Sequence, residues 1–143
     1  MIEAIKEAWG WAGIDPAEIV GENDFGNLII KDTGGKYWRL CPEEVYCKVI
    51  AKSREDLDAL SHSKEFLTDW YMSSLIEVAK ETLGDLPKER KYCLKLPSIL
   101  GGEYNANNIG TISQQELISF SGYLAKEIKD LPDGAKIEFS FVE

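Results

Sequence analysis

The sequence predicts an α+β fold, a single domain with a largely antiparallel sheet and amphipathic helices packed on one face. Three observations predict it. Segments that alternate apolar and polar residues are grouped early in the chain and joined by short turns, not interleaved one by one with helices. Two longer segments, 64–83 and 114–128, repeat their apolar residues at three-four spacing, the period of a helix with one buried stripe. The 143 residues, 44% of them hydrophobic, suffice to bury one core without disulfide or metal staples. No repeat, low-complexity tract or Pro/Gly/Ser-rich linker divides the chain, so residues 1–143 read as one domain.

The first helix places Ile2, Ile5, Trp9 and Ala12 on one stripe and ends near Gly13. Asp15-Pro16-Ala17-Glu18 combines an N-cap acid, a first-turn proline and an acid three residues after the cap, which reads as a short helical turn. Strands are expected at residues 19–23 and 28–31, joined by the turn Asp24-Phe25-Gly26-Asn27. Asp32-Thr33-Gly34-Gly35 turns the chain into a third strand, residues 36–40, with Trp38 and Leu40 on one face and Tyr37 and Arg39 on the other. Pro42 interrupts the ladder. Residues 45–52 alternate again, setting Val45, Cys47, Val49 and Ala51 against Tyr46, Lys48, Ile50 and Lys52, as in a meander with one buried face.

Ser53-Arg54-Glu55-Asp56 resembles a capping box and opens a short helix to Leu60. One long helix follows over residues 64–83, carrying Phe66, Leu67, Trp70, Tyr71, Leu75, Val78 and Ala79, stopped by Gly84 and Pro87. Residues 91–96 alternate as a strand with Tyr92, Leu94 and Leu96 inward, and a polar loop spans 97–108. Ser113-Gln114-Gln115-Glu116 is a full capping box for a second strong helix with Leu117, Phe120, Leu124 and Ile128. A turn at 131–134 leads to a last strand, 136–142, in which Ile137, Phe139 and Phe141 alternate with Lys136, Glu138 and Ser140.

The residues for catalysis are sparse. His62, the single histidine, lies between two predicted helices beside Ser61 and Ser63, where an exposed linker position explains it. There is no HExxH or calcium-loop pattern, and the Glu43-Glu44 pair at a strand break points its two carboxylates apart, as a solvated turn does. Cys41, Cys47 and Cys93 are odd in number and form no CxxC, so reduced, mostly buried thiols are expected. No catalytic residue, metal site or cofactor is expected. No window approaches the about 18 apolar residues of a membrane span, and the N-terminus has no secretory apolar region. A cytoplasmic protein without membrane association is the expectation.

A binding role fits better. Tyr37 and Arg39 are interface candidates, since aromatic residues and arginine are enriched at hot spots, although structural pairing of Arg39 with Asp32 or a helix acid is the more common arrangement. The loop over 100–111, with Glu103, Tyr104 and Asn105, is either a ligand or partner contact or a structured surface loop using Asn and Gly turns. Sixteen Lys and Arg against 25 Asp and Glu leave a formal net charge of −9, which argues against direct nucleic-acid binding. Six acids lie within the first thirty residues (Glu3, Glu7, Asp15, Glu18, Glu22, Asp24) against Lys6 alone, so more than half of the excess sits there. Solubility by itself would account for such acidity.

Five blocks resemble a known family: Asn23-Asp24-Phe25-Gly26-Asn27, Tyr37-Trp38-Arg39-Leu40-Cys41-Pro42-Glu43-Glu44, Lys91-Tyr92-Cys93-Leu94-Lys95, the 100–111 loop, and Lys129-Asp130-Leu131-Pro132-Asp133-Gly134. In this order they look like the C-terminal domain of the Tdi-type immunity proteins that neutralise type VI secretion DNase effectors. The resemblance implies a cytoplasmic, non-catalytic protein that binds a cognate toxin and blocks its active site or its access to DNA. Members often carry a further N-terminal GAD-like module, and residues 1–143 are expected to be the immunity domain alone. With that partner in view, Glu18, Glu22 and Asp24 join Tyr37, Arg39, Glu103, Tyr104 and Asn105 as expected partner-binding residues, because a nuclease surface that holds phosphates is basic. The other class of function that the residues allow is a small-ligand or regulatory module using the 100–111 loop.

Overall fold

The computed structural model describes residues 1–129, so the predicted turn at 131–134 and strand at 136–142 lie outside the described residues. Helix α1 (Ile2–Trp9) buries Ile5 and Trp9, continues through one 3₁₀ turn and ends at Gly13 with φ +98°, as the stripe and the glycine predict. The next segment departs from expectation. Strand β1 (Pro16–Glu22) begins where a helical turn was predicted and pairs antiparallel with β2 (Leu28–Asp32). Asp15 caps nothing; its carboxylate accepts from the Thr33 hydroxyl at 2.9 Å and its carbonyl from the Thr33 N–H at 3.0 Å. Ladder pairing outweighs the local capping signal, and Pro16 is tolerated because β1 is an edge strand.

β3 (Tyr37–Cys41) and β4 (Tyr46–Ala51) complete an antiparallel meander in the order β1-β2-β3-β4. The Asp32 turn forms as expected, with its Oδ1 accepting the Gly34 and Lys36 N–H groups at 2.9 and 2.8 Å and its Oδ2 accepting Trp38 Nε1–H at 2.9 Å. The predicted alternation of β4 does not hold. Val45 sits in the preceding turn at φ +58°, and a bulge leaves Ile50 without a partner between the pairs Tyr37↔Ala51 and Trp38↔Val49. One inserted residue reverses the faces. Ala51 therefore joins Tyr37 on the face opposite Cys47, and Val49 is 39% exposed.

Leu28, Ile30, Leu40 and Cys47 pack on Ile5 and Trp9 of α1 and on Ile118 and Leu124 of α5 (Gln114–Lys129). The two helices meet at Gly122, where a Cβ would strike the Ala8 carbonyl. The second face is covered too: Ile29, Tyr37 and Ala51 cluster with Trp70 of α3 (Lys64–Tyr71), and Leu57 and Leu60 of α2 (Arg54–Leu60) pack against them. Consecutive buried residues Leu28, Ile29 and Ile30 give β2 two apolar faces, so helices pack against both sides of this α+β sheet. The Ser53 cap of α2 forms, its hydroxyl accepting the Asp56 N–H at 3.2 Å.

Residues 64–83 are two helices, not one. Met72 takes φ +49° and ψ +36° between α3 and α4 (Ser73–Leu83). The break serves two cores: Trp70 packs on the meander, while Leu75, Ile76, Val78 and Ala79 pack with Phe25, Tyr92, Leu94 and Ile109. β5 (Arg90–Leu94) bears Tyr92 and Leu94 of that second core and pairs with β6 (Ile109–Ser113) as a separate two-stranded sheet. β6 is absent from the predicted order because Ile-Gly-Thr-Ile is too short to display alternation. At the start of α5 the Ser113 cap forms, its hydroxyl accepting the Glu116 N–H at 3.1 Å and donating to the Glu116 carboxylate at 3.1 Å. Among the described residues no helix is long and apolar enough to cross a membrane.

Candidate partner-binding surface

β3 directs Tyr37 and Arg39 to the face that α3 covers, so both are buried, at 3% and 4% exposure. Their expected place on an open face is thereby corrected. The Arg39 guanidinium donates from Nε and Nη2 to Asn27 Oδ1 at 3.1 and 3.0 Å, pairs through Nη1 with the Asp69 carboxylate, and lies 5.3 Å over the Trp70 ring. Asn27 in turn donates from Nδ2 to both Glu43 oxygens at 3.0 and 2.9 Å. A helix acid, Asp69, takes Arg39, whereas Asp32 serves Trp38.

The result is a polar line, Glu43 to Asn27 to Arg39 to Asp69, that starts in the interior and ends on an exposed carboxylate. Asn23 supports it. Its Oδ1 accepts the Phe25 and Asn27 N–H groups, both at 3.0 Å, and its Nδ2 donates to the Trp70 carbonyl at 2.8 Å, beside the helix break. Of the Glu43-Glu44 pair, only Glu44 is solvated. Glu43 is 5% exposed because Asn27 and Cys41 both supply donors to it.

The electrostatics of this line are set by burial and by the partners that offset it. Burial draws the Arg39 pKa down, and the Asp69 partner together with the nearby Tyr46 and Cys41 more than offsets it, leaving Arg39 above its ordinary value. Burial pushes Glu43 up, and donors from its own backbone, Cys41 and Asn27 offset only part of this. The three cysteines are unpaired; burial pushes Cys47 up to about 12 and Cys41 and Cys93 up as well, which keeps the thiols protonated. His62 is exposed on the linker between α2 and α3, as its flanking serines suggest. Among the described residues no group of three or more His, Cys, Asp or Glu side chains is placed to hold a metal.

The outer end of the polar line opens on a groove of about 710 Å³ formed where α3 breaks into α4, with Tyr104 from the 100–111 loop in its wall. Asp69, Tyr71, Leu67 and Leu75 line it as well. The Tyr104 hydroxyl donates to Glu44 Oε1 at 3.1 Å, and burial together with the charges of Glu44 and Glu43 holds its pKa above the ordinary phenol range. A separate groove of about 640 Å³ has Phe25, Leu94, Ile112 and Leu117 around Glu43.

The rest of the loop is turned inward on itself. A Cβ on Gly102 would collide with the Leu96 carbonyl oxygen, and Asn108 bridges the Leu96 N–H and carbonyl, each at 2.9 Å. Asn105 accepts the Asn107 N–H at 3.1 Å and donates to the exposed Glu103 carboxylate at 2.7 Å. These asparagines serve the loop, so a ligand pocket built from them gains no support. Glu18 and Glu22 are exposed on β1, where Glu22 pairs with Lys91 at 3.3 Å, and Asp24 is half-buried in the following turn with its carbonyl accepting the Tyr92 N–H at 2.8 Å. None of these three lines the Tyr104 groove. Sequence reasoning missed Asn27, Glu43, Asp69 and Tyr71 as a set; its sole trace was the arginine in a strand, which needs a carboxylate wherever it is buried.

Residues 51–125 match the family model described as T6SS immunity protein Tdi1, C-terminal. No curated protein matches the chain. The matched residues run from the end of β4 through most of α5 and include Asp69, Tyr71 and Tyr104, as well as two of the sequence blocks, 91–95 and 100–111. Since that match takes in more than half of the chain, the protein belongs to the Tdi1-type family of T6SS immunity proteins through their C-terminal domain.

Proposed function

We propose that this chain neutralises a nuclease toxin in the cytoplasm by binding it and blocking its active site or its access to DNA. Family membership supports a protective, non-catalytic role with a toxin as partner. The observation that carries the binding mechanism is the net charge of −9. A nuclease presents basic side chains to phosphates, and an acidic protein is steered to the same surface and competes for it. In this reading Glu18, Glu22 and Asp24, and Glu103, Tyr104 and Asn105 from the loop, meet the toxin. Arg39 acts from inside, as the support of Asp69, and Tyr37 packs beneath α3 with Trp70. The protein acts by occupancy and turns nothing over.

The test is co-expression with the toxin encoded by the neighbouring gene, reading survival and complex formation by pull-down. Rescue together with a stable complex is the expected result. Neither rescue nor complex would overturn the proposal.

A further inference from the structure

We infer that the groove between α3, α4 and Tyr104 is the anchor pocket for one basic side chain, an arginine or lysine, of the toxin; this rests on the toxin-binding reading above. Asp69 carries the argument. Its side chain is 69% exposed, yet Arg39, at 5%, holds Oδ2 from below and is itself tied through two nitrogens to Asn27. A surface aspartate ordinarily samples several rotamers, and one ordered before association avoids that entropic loss on binding. Its other oxygen, Oδ1, takes no hydrogen bond among the described residues, so a fixed acceptor lines the groove.

The flanking residues match the same ligand chemistry. Tyr71 and Tyr104 are 58% and 44% exposed, and the Tyr71 hydroxyl has no hydrogen-bond partner among the described residues. Phenol rings attract a cation through their faces, while Leu67 and Leu75 offer apolar surface for its methylene stem. Of the charged side chains that line the groove, Asp69 is the carboxylate and Lys64 the ammonium, and a second carboxylate, Glu44, is held against the wall by the Tyr104 hydroxyl. Met72 makes the opening by holding a left-handed conformation that is costly for a side-chain-bearing residue, and the Asn23 bond to the Trp70 carbonyl secures it. A basic residue captured here is withdrawn from DNA phosphate, which links the pocket to inhibition.

The experiment measures binding of the full chain to the toxin encoded by the neighbouring gene, by calorimetry or surface plasmon resonance, for wild type and four variants. Tyr71→Ala, Tyr104→Ala and Ser74→Lys alter the groove; Glu127→Lys makes a larger charge change on α5, outside it. Tyr71 and Ser74 are exposed and make no side-chain hydrogen bond among the described residues, so these variants fold, and a thermal melt verifies it. Each groove variant is expected to weaken binding about tenfold or more, and Glu127→Lys less than about threefold. Wild-type binding with all three groove variants within about threefold of it would overturn the pocket while leaving the immunity reading intact. Absence of wild-type binding and of rescue would instead overturn that reading, and the pocket with it.

Discussion

Arg39 of β3 and Asp69 of α3, thirty positions apart in the chain, form an ion pair with one partner in the interior and the other at the surface, their side chains 5% and 69% exposed. The asymmetry decides what the pair does. The guanidinium is desolvated and depends on its partners, whereas the carboxylate stays in water and gains only position. A strand residue thereby sets the geometry of a helix residue in the groove.

Asp69→Ala is expected to lower stability by about 2 kcal/mol, less than for a fully buried pair because water can reach the vacated site. Arg39→Ala costs more, since it also strips both donors from Asn27 Oδ1 and empties space over Trp70. Urea denaturation of the two variants measures this order, and a midpoint for Asp69→Ala equal to that of wild type would refute the dependence of Arg39 on its partner.

Glu43 gives stability a defined pH dependence. Burial raises its folded pKa above the ordinary 4.5, so its contribution is fully present below that value and is lost as pH rises through the folded one. Asp32 has the opposite sign. Burial pushes it up, but hydrogen bonds from Trp38, Lys36 and Gly34 prevail and leave it below 3.8, so its contribution is present above 3.8 and lost as pH falls through the folded value. Between about pH 4 and about pH 7, wild type should lose stability relative to Glu43→Gln, which cannot titrate there. Thermal melts across that range check the sign; a constant or oppositely drifting difference refutes it.

Two glycine substitutions separate packing from propensity. Gly122→Ala drives a Cβ into the Ala8 carbonyl where α1 crosses α5, and is expected to cost about 2 kcal/mol. Gly10 has helical φ and ψ, and a Cβ there would meet nothing within 4 Å, so Gly10→Ala should be neutral or stabilising by up to about 1 kcal/mol. Equal melting temperatures for the two variants would contradict the close helix crossing.

Association with the toxin should slow steeply between low and physiological ionic strength, because steering by net charge is screened beyond about 10 Å at 0.1 M salt. Reversing Glu18 and Glu22 to lysine should lower the on-rate further at low salt and leave the off-rate nearly unchanged. Stopped-flow measurement distinguishes this from an interface indifferent to charge, for which neither salt nor reversal would change the on-rate.

The sequence by itself determined whatever depends on neighbours a few positions away. The stripe of α1, the caps at Ser53 and Ser113, the Asp32 turn, the exposed linker His62 and the α+β class are all local patterns, and the structure agrees with each. The resemblance to the immunity family was legible too, and two of the blocks that carried it, 91–95 and 100–111, lie inside the matched residues 51–125. Tertiary structure alone decided the rest, because the deciding partners are remote. Pairing with β2 made Pro16 a strand residue, one bulge moved Ala51 to the other face, and two cores at different places broke a continuous helical stripe at Met72. The same holds for the groove. Nothing within four residues of Arg39 predicts that α3 will bury it, and burial is what obliges a guanidinium to find Asp69, fix it, and so turn an ordinary surface acid into a positioned one.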